Sequence, residues 1–398
     1  MTTGFADFAE AAACPAGAGS QVAAPRYDRV AVLGGGIDAR LLAALCLAEE
    51  AEVTLFSAYG AELESLRGGS GIPLRDAGPV GTYNVNRADA PSVRLTAELD
   101  AAVKDAEVIF LTGLVHKQRT YAMVLADHLS DGQVLVLCPG RSLGALETAW
   151  LLRIGGAQAD ITIVEAQGLP YWIDAEGAVL HLSPAAPIAA ATLPRGREHV
   201  LEGLARFLPN LAPRDSVLVS GFADGSALVE FPALLMGGPA LGSGAIEVPM
   251  GGTPLPENET FARLIGPEQR RLIRTLAKER HAVARAFGVR DLPNADEWIA
   301  THAGALKGEG RRPVPEDSEA KALLRDGVIG SLMPLISAAE MADTEVPLTR
   351  SMVTLASAVL GADVASAGRR LDTIGIREDD ISEARAAMDA IARGGLDG

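Results

Sequence analysis

The sequence predicts a doubly wound α/β fold followed by a mostly helical half. Three observations support this prediction. Short apolar segments alternate with helical patterns from about residue 28 to about residue 222, a glycine-rich turn joins the first strand to the first helix, and long helical patterns take over beyond residue 223. Apolar strands separated by helices are typical of a parallel sheet that is covered on both faces.

Short apolar runs between polar turns define the elements of the first half. Runs such as QVLVLC, which are apolar at nearly every position, predict strands buried on both faces. The expected strands are Arg29–Leu33, Glu52–Phe56, Glu107–Leu111, Gln133–Cys138, Asp160–Glu165, Val179–Leu182, Ile188–Leu193 and Ser216–Val219. The expected helices are Asp38–Glu49, Ala97–Asp105, Thr120–Leu129, Ala145–Leu152 and Arg197–Leu208.

Beyond residue 223 apolar residues recur at helical spacing. The expected helices are Glu268–Phe287, Ala320–Ala342, Thr349–Leu360 and Asp379–Arg393. We therefore predict a flexible extension at residues 1–26, a sheet domain at 27–223 and a helical domain at 224–398. Exposed apolar faces on the helices of the last domain favour a homodimer.

Composition bears on the partners of this 398-residue chain. Its net charge is −16, whereas nucleic acids and anionic membranes attract positive surfaces, so neither is an expected partner. The three cysteines show neither a disulfide framework nor zinc-ligand spacing, which is typical of a reducing compartment. No apolar run has the length of a membrane span and the N-terminus lacks a basic leader. We expect a cytoplasmic protein without a metal.

The turn after the first strand has the form G-x-G-x-x-A and comprises Gly34, Gly35, Gly36, Ile37 and Ala39. In a dinucleotide-binding Rossmann fold the first glycine allows a tight turn, and the second lets the backbone approach a pyrophosphate. A small third residue lets helix and strand pack closely, and the helix N-terminus faces the phosphates. The strand before and the helix after provide the context that this motif requires. The alternative is a glycine-rich turn that binds nothing.

Three more residues belong to the predicted cofactor site. Ser57 ends the second strand, and Thr112 and Gly113 follow the strand that ends at Leu111. An acidic residue at the end of the second strand suits the ribose 2′-hydroxyl of NAD, whereas a neutral one with a basic residue nearby suits the 2′-phosphate of NADP. Ser57 is neutral and the next basic residue is Arg67. The sequence therefore leans towards NADP, with NAD as the alternative.

Three longer motifs stand out. Residues 131–147 are DGQVLVLCPGRSLGALE, residues 164–171 are VEAQGLPY, and residues 368–376 are GRRLDTIGI. These segments resemble the octopine/nopaline (opine) dehydrogenase family. The resemblance implies a Rossmann domain, a helical opine-dehydrogenase-type domain and an active site in the cleft between them. It further implies that an amino acid amine and a 2-keto acid condense to an imine, which NAD(P)H reduces.

The resemblance also implies which residues carry the chemistry. The family's helical domain begins with a His-Pro pair whose histidine is catalytic, but Phe231 precedes the proline in this chain. Phe231 is therefore placed at the substrate site without an acid–base role. The family's arginine and aspartate, five residues apart, correspond to Lys321 and Asp326, which we expect to be catalytic. Arg325 is expected to bind a substrate carboxylate, because lysine lacks the bidentate fork of arginine.

Another group must then transfer the proton, and we predict that His116 does so. It follows a buried strand on a loop expected beside the nicotinamide, and an imidazole titrates near neutral pH. The alternative is a solvated loop histidine. Glu230 is a weaker candidate, and Glu165 and Gln167, at a strand end, are expected to contact substrate.

Two other functions are consistent with the same residues. The protein could reduce a preformed imine or another carbonyl compound, or it could bind the nucleotide without turnover. Both alternatives stand because a fold does not determine its chemistry.

Overall fold

The computed structural model describes residues 24–69, 71–236, 260–304, 311–378 and 380–397. Within these residues a 12-stranded sheet has the order β12-β11-β8-β7-β6-β1-β2-β5-β4-β3-β10-β9. Its strands are β1 Arg29–Leu33, β2 Glu52–Phe56, β3 Ile72–Arg75, β4 Gly81–Val85, β5 Ser92–Thr96, β6 Val108–Thr112, β7 Val134–Cys138, β8 Thr162–Ala166, β9 Tyr171–Glu176, β10 Val179–Pro184, β11 Ile188–Leu193 and β12 Leu211–Pro213.

Helices cover the sheet and build most of the second half. The α-helices are α1 Ile37–Ala48, α2 Gly60–Arg67, α3 Leu99–Val103, α4 Val115–Leu125, α5 Gly144–Ile154, α6 His199–Leu204, α7 Val217–Ala223, α8 Ser226–Met236, α9 Pro267–Ala286, α10 Ala295–Ala303, α11 Asp317–Gly327, α12 Met333–Met341, α13 Pro347–Leu360 and α14 Ile381–Gly394. A π-helical turn at Val328–Leu332 joins α11 to α12. Short 3₁₀ turns lie at Phe261–Leu264, Ala365–Ala367, Asp372–Ile374 and Gly395–Asp397.

The centre of the sheet is parallel. Strands β5, β2, β1, β6, β7 and β8 are neighbours in this order, and each runs parallel to the next. All residues of β6 and β7 are buried, as expected for strands covered on both faces. The predicted doubly wound sheet followed by a helical half is confirmed.

One predicted strand is wrong. Residues Ser216–Val219 begin helix α7, and the Ser216 side chain caps it by accepting a hydrogen bond from the Val219 amide at 3.4 Å. Most residues of α7 are buried, so apolar residues lie on all sides of the helix. Its sequence therefore shows no helical alternation of apolar and polar residues. Strands β3, β4, β5, β9 and β12 were not predicted. Strand β4, GTYNV, is only partly buried and offers no apolar run.

The last helix returns to the sheet. Helix α14 packs against β11 and α5, and the Arg195 amide donates to the carbonyl of Ala392 at 2.7 Å. The 3₁₀ turn Asp372–Ile374 also packs against α5. The end of the chain therefore contributes to covering the sheet, while α8 to α13 form the helical half proper. The division at residue 223 stays a prediction.

Two helical stretches have the length and hydropathy of a membrane span. They are Val217–Met236 and Asp317–Met341, and a third counts if Pro347–Leu360 and Ala365–Ile374 form one bent span. The expectation that no run reaches this length is therefore wrong. However, 94% of the first stretch and 83% of the second are buried inside the protein. Their apolar surface packs against the rest of the chain.

Candidate active site

A cavity of about 240 Å³ opens between the sheet and the helical half. Its sheet side includes Asp38 at the start of α1, Arg141 after β7 and Gln167 after β8. Its helical side includes Ser226, Glu230, Trp298, His302, Arg312 and Glu319. The sheet residues all follow the carboxyl ends of parallel strands, which is where open α/β folds bind their ligands.

The glycine turn at the edge of this cavity is shaped for a close ligand. Gly34 has a φ of +135°, and a Cβ there would lie 2.5 Å from Oγ1 of Thr112, so only glycine fits. The Gly34 amide donates to the carbonyl of Phe56 at 2.9 Å. By contrast, no described residue lies within 4 Å of a Cβ built on Gly36, and no described side chain caps α1. The start of α1 is therefore uncapped and uncrowded at Gly36, as a pyrophosphate site requires.

A carboxylate lies beside Ser57 at the end of β2. Ser57 Oγ donates to Oε2 of Glu62 at 2.6 Å, and the Glu62 side chain packs over Gly35. Nζ of Lys117 lies 3.5 Å from Oε1 of Glu62 and 5.1 Å from the ring centroid of Tyr59. Glu62 was not predicted from the sequence, because it stands five residues beyond Ser57. The chain turns into helix α2, and this turn places the Glu62 carboxylate beside Ser57.

The structure brings the predicted cofactor residues together. Gly34, Gly35, Gly36, Ile37, Ala39, Ser57, Thr112 and Gly113 all lie at or just beyond the carboxyl ends of β1, β2 and β6. Thr112 Oγ1 donates to the carbonyl of Leu33 at 3.0 Å, which ties the ends of β6 and β1.

Among the residues that the structure describes, no group of three or more His, Cys, Asp or Glu side chains is placed to hold a metal.

Arg141 and Asp326 form a buried pair at the cavity. Arg141 Nε donates to Oδ2 of Asp326 at 2.9 Å, and Nη1 donates to Oγ of Ser226 at 2.5 Å. Oδ1 of Asp326 accepts the Val115 amide at 2.7 Å and so caps α4. Burial alone would lower the pKa of Arg141, but Asp326 and other nearby carboxylates raise it above its usual value. Arg141 is therefore a fixed cation, and Asp326 positions it.

A second buried pair joins Arg312 to Glu230. Nη2 of Arg312 donates to Oε1 of Glu230 at 2.7 Å, and the two side chains are 7% and 4% exposed. The guanidinium carbon of Arg312 lies 4.0 Å from the ring centroid of Phe261 and 4.8 Å from that of Trp172. Nη1 donates to the carbonyl of His302 at 2.8 Å. Both groups of the pair therefore have fixed positions on the cavity wall.

His302, in the last turn of α10, brings an imidazole to the cavity. Burial lowers its pKa to about 4, against the opposing effect of Asp224 and Glu230. The imidazole is therefore neutral at neutral pH. His302 was not predicted from the sequence, because helix α10 was not predicted, although Asn294 and Glu297 form a capping box that signals the helix start.

His116 and Phe231 lie outside the cavity. Helix α4 begins at Val115, so His116 stands in its first turn, where it is exposed and does not line the cavity. Phe231 is fully buried, and a Cβ on Gly327 would lie 2.5 Å from its ring. Neighbouring residues on a helix point about 100° apart. Phe231 therefore faces the core while Glu230 faces the cavity.

The side of helix α11 that faces the cavity is not the side that carries Lys321 and Arg325. Its cavity residues are Glu319 and Leu323, four residues apart on one side. Lys321 lies off that side, half-exposed, and its Nζ pairs with the Asp317 carboxylate at 2.8 Å. Arg325 is exposed. Neither cation reaches the cavity, and its positive charge comes from Arg141, Arg214 and Arg312 instead.

Glu165 and Gln167 have separate positions. Glu165 is fully buried behind the cavity, where Oε1 accepts from Ser220 Oγ at 2.6 Å and Oε2 accepts the Ala145 amide at 2.9 Å. Burial raises its pKa to about 7. Gln167 lines the cavity, and its Nε2 donates to Oε1 of Glu165 and to the carbonyl of Arg141. Of the two, only Gln167 is available to a substrate.

The most distinctive sequence motifs meet beneath this cavity. Nε of Arg369, from GRRL, donates to Oε2 of Glu147, from GALE, at 2.8 Å. Arg119 donates to the other Glu147 oxygen at 2.8 Å. The Ser142 carbonyl accepts from Arg369, and the Ser142 amide donates to the carbonyl of Gly330 in the π-helical turn at 2.9 Å. These motifs hold the two halves of the protein together.

Known proteins resemble this chain in sequence and in fold. No family model matches the chain. An opine dehydrogenase of Arthrobacter sp. (strain 1C) is 26% identical over 309 residues, which cover 74% of this chain and 82% of that protein. Protein ocs of Agrobacterium tumefaciens (strain Ach5) is 25% identical over 309 residues, with 75% and 83% covered. The chain is a relative of the opine dehydrogenases.

Solved structures of that family have the same fold. Octopine dehydrogenase with NADH and pyruvate superimposes with a TM-score of 0.64 at 18% identity, over 91% of this chain and 98% of that one. Yersinopine dehydrogenase with NADP⁺ gives a TM-score of 0.56 at 14% identity, over 92% and 98%. The family resemblance predicted from the motifs is confirmed. The predicted class, an NAD(P)-dependent oxidoreductase, agrees with these relatives.

Proposed function

We propose that the protein is an NAD(P)H-dependent oxidoreductase that makes an opine-type secondary amine. An amino acid amine and a 2-keto acid lose water to form an imine, and a hydride and a proton then reduce the imine carbon and nitrogen. The cavity carries this proposal, because it joins an open pyrophosphate site to two buried arginines and a neutral histidine. The sequence relatives support the same reaction class.

The residues present fit a nicotinamide dinucleotide. Gly36 and the uncapped amides of α1 would hold its pyrophosphate, and Thr112 and Gly113 would lie along its path towards Arg141. When bound, the cofactor supplies the hydride. The remaining chemistry belongs to the protein: binding the substrates, orienting the reacting carbon and moving protons.

Each polar group on the cavity wall has a role in this proposal. Arg141 and Arg312 attract the substrate carboxylates, because both are buried cations with fixed orientation. His302 donates an N–H to the keto oxygen. A neutral imidazole can stabilise developing negative charge there without being charged itself.

The test is oxidation of NADH or NADPH, followed by absorbance, with pairs of amino acids and 2-keto acids. Gly36→Val is the control, because its branched side chain enters the open space and blocks cofactor binding. We expect turnover that needs both substrates. Turnover with a keto acid alone would instead favour the carbonyl reductase. Cofactor binding without turnover of any pair would favour the binding-only protein.

We predict tighter binding of NADH than of NADPH, against the lean of the sequence. The carboxylate missing from position 57 is supplied by Glu62, which would repel a 2′-phosphate and accept from a 2′-hydroxyl. Glu62→Gln removes the repulsion and frees Lys117, so the ratio of NADPH to NADH affinity should rise about tenfold. Dissociation constants for both cofactors check this. An unchanged ratio would show that Glu62 does not contact the ribose.

Cofactor affinity should also depend on pH through Asp38. Burial raises its pKa to about 6, aided by Asp326 and partly offset by Arg141. Below about pH 6 the carboxyl is neutral, and above it the negative charge faces the pyrophosphate. NADH should therefore bind roughly tenfold more weakly at about pH 8 than at about pH 5. Asp38→Asn should bind tightly at both values; a variant that keeps the pH dependence would contradict this assignment.

A further inference from the structure

We propose that Glu230 binds the substrate's amino group in its cationic form, an inference that rests on the function proposed above. Glu230 lines the cavity and is 3% exposed. Its Oε1 accepts from Arg312, but its Oε2 has no hydrogen-bond partner among the residues that the structure describes. A buried, unpaired acceptor costs about 1–3 kcal/mol, so such groups are normally paired with a donor or a water. A ligand that donates hydrogen bonds is the natural partner.

The pairing with Arg312 fixes the direction of the free oxygen. Arg312 is held on three sides, by the His302 carbonyl and by the rings of Phe261 and Trp172. Its Nη2 keeps Oε1 of Glu230 in place at 2.7 Å. Oε2 is thereby held as an acceptor on the wall. A preorganised acceptor binds a donor without first losing conformational entropy.

The side-chain oxygen of Gln167 is a second buried hydrogen-bond acceptor on the wall of the same cavity. Gln167 Nε2 donates to Oε1 of Glu165 at 3.0 Å and to the Arg141 carbonyl at 2.9 Å. These two bonds fix the orientation of the amide, and its Oε1 is buried without a partner in the described part of the chain. Two unpaired acceptors on one cavity favour a ligand with several donors. A primary ammonium has three N–H donors and no acceptor.

The charges on the wall favour the same ligand. The cavity wall carries three acidic side chains, Asp38, Glu230 and Glu319, and three arginines, Arg141, Arg214 and Arg312; Arg141 and Arg312 are each already paired with a carboxylate. A neutral amide or hydroxyl would meet Glu230 with one donor at most, whereas an ammonium adds charge to the hydrogen bond. The substrate class is therefore a primary amine that enters as its ammonium, with its carboxylate towards the arginines.

The experiment measures amine binding to the protein saturated with NADH. Each standard L-amino acid is screened by thermal shift, and those that bind are compared by calorimetry with their N-acetyl derivatives. Acetylation removes the charge and two donors, so it should weaken binding about tenfold or more. This comparison needs no variant, so it holds whether or not a mutant folds.

Glu230→Gln then tests the residue itself. Its amide oxygen can still accept from Arg312, but an NH₂ replaces the free acceptor. We expect amino acid affinity to fall about tenfold or more while NADH affinity is unchanged. Glu345→Gln is the matched control: it removes the same charge from an exposed residue that does not line the cavity, and it should bind like the wild type.

The outcomes separate this inference from the proposed function. Equal affinity for an amino acid and its N-acetyl form, or wild-type amino acid affinity in Glu230→Gln, would overturn the role of Glu230. A protein that binds NADH but no amino acid would overturn it as well, and would leave the cofactor site standing. A protein that binds neither NADH nor NADPH would overturn the proposed function.

Discussion

His302→Ala should lower kcat/KM for the coupled reaction about 100- to 1,000-fold, the range for a lost hydrogen-bond donor to a developing oxyanion. The imidazole lines the cavity, and its pKa near 4 keeps it neutral, so it donates a hydrogen bond without adding charge. NADH affinity should be unchanged, because His302 lies on the helical side. Steady-state kinetics and a cofactor titration on the same preparation check both parts.

His116→Ala is the comparison that decides between the two histidines. His116 is exposed in the first turn of α4 and does not line the cavity, so its removal should leave turnover near the wild-type rate. His302→Asn, which retains a side-chain N–H, should recover part of the lost rate. If His116→Ala loses activity and His302→Ala retains it, the sequence-based assignment of His116 is right.

Local sequence patterns predicted several buried strands of the sheet well. Strands Arg29–Leu33, Glu52–Phe56 and Ile188–Leu193 have the predicted bounds. Each is a short run with most residues buried, and burial on both faces removes polar residues from the sequence. Strand β4 could not be predicted in this way, because its half-exposed residues carry no such pattern.

Long-range contacts explain why the site was harder to predict. The start of α4 is set by Asp326, whose carboxylate caps Val115 from 211 residues away. Nothing near Val115 in the sequence signals this cap, so His116 was expected on a loop. In the same way, helix α11 is oriented so that Glu319, rather than Lys321, lines the cavity. The glycine turn was predictable because its requirements are local: a positive φ at Gly34 and open space at Gly36.

The contact between Glu147 and Arg369 also accounts for the motifs that revealed the family. Their side chains are 8% and 2% exposed, and 222 residues separate them in the chain. Burial alone would raise the pKa of Glu147, but Arg369 and Arg119 together hold it below its usual value. The motif residues thus join the two halves of the protein. Because their role is structural, a match to these motifs predicts the architecture of the protein more directly than it predicts the substrate.

Arg369→Ala should lower the free energy of unfolding by about 3–5 kcal/mol, because it leaves the Glu147 carboxylate buried with one partner fewer. Arg369→Lys keeps the charge but not the planar fork, so its loss should be intermediate. Arg350→Ala breaks an exposed pair with Glu340 and should cost at most about 1 kcal/mol. Denaturant unfolding followed by circular dichroism measures all three. If Arg369→Ala costs no more than Arg350→Ala, the buried pair does not hold the halves together, and the GRRL and GALE motifs need another explanation.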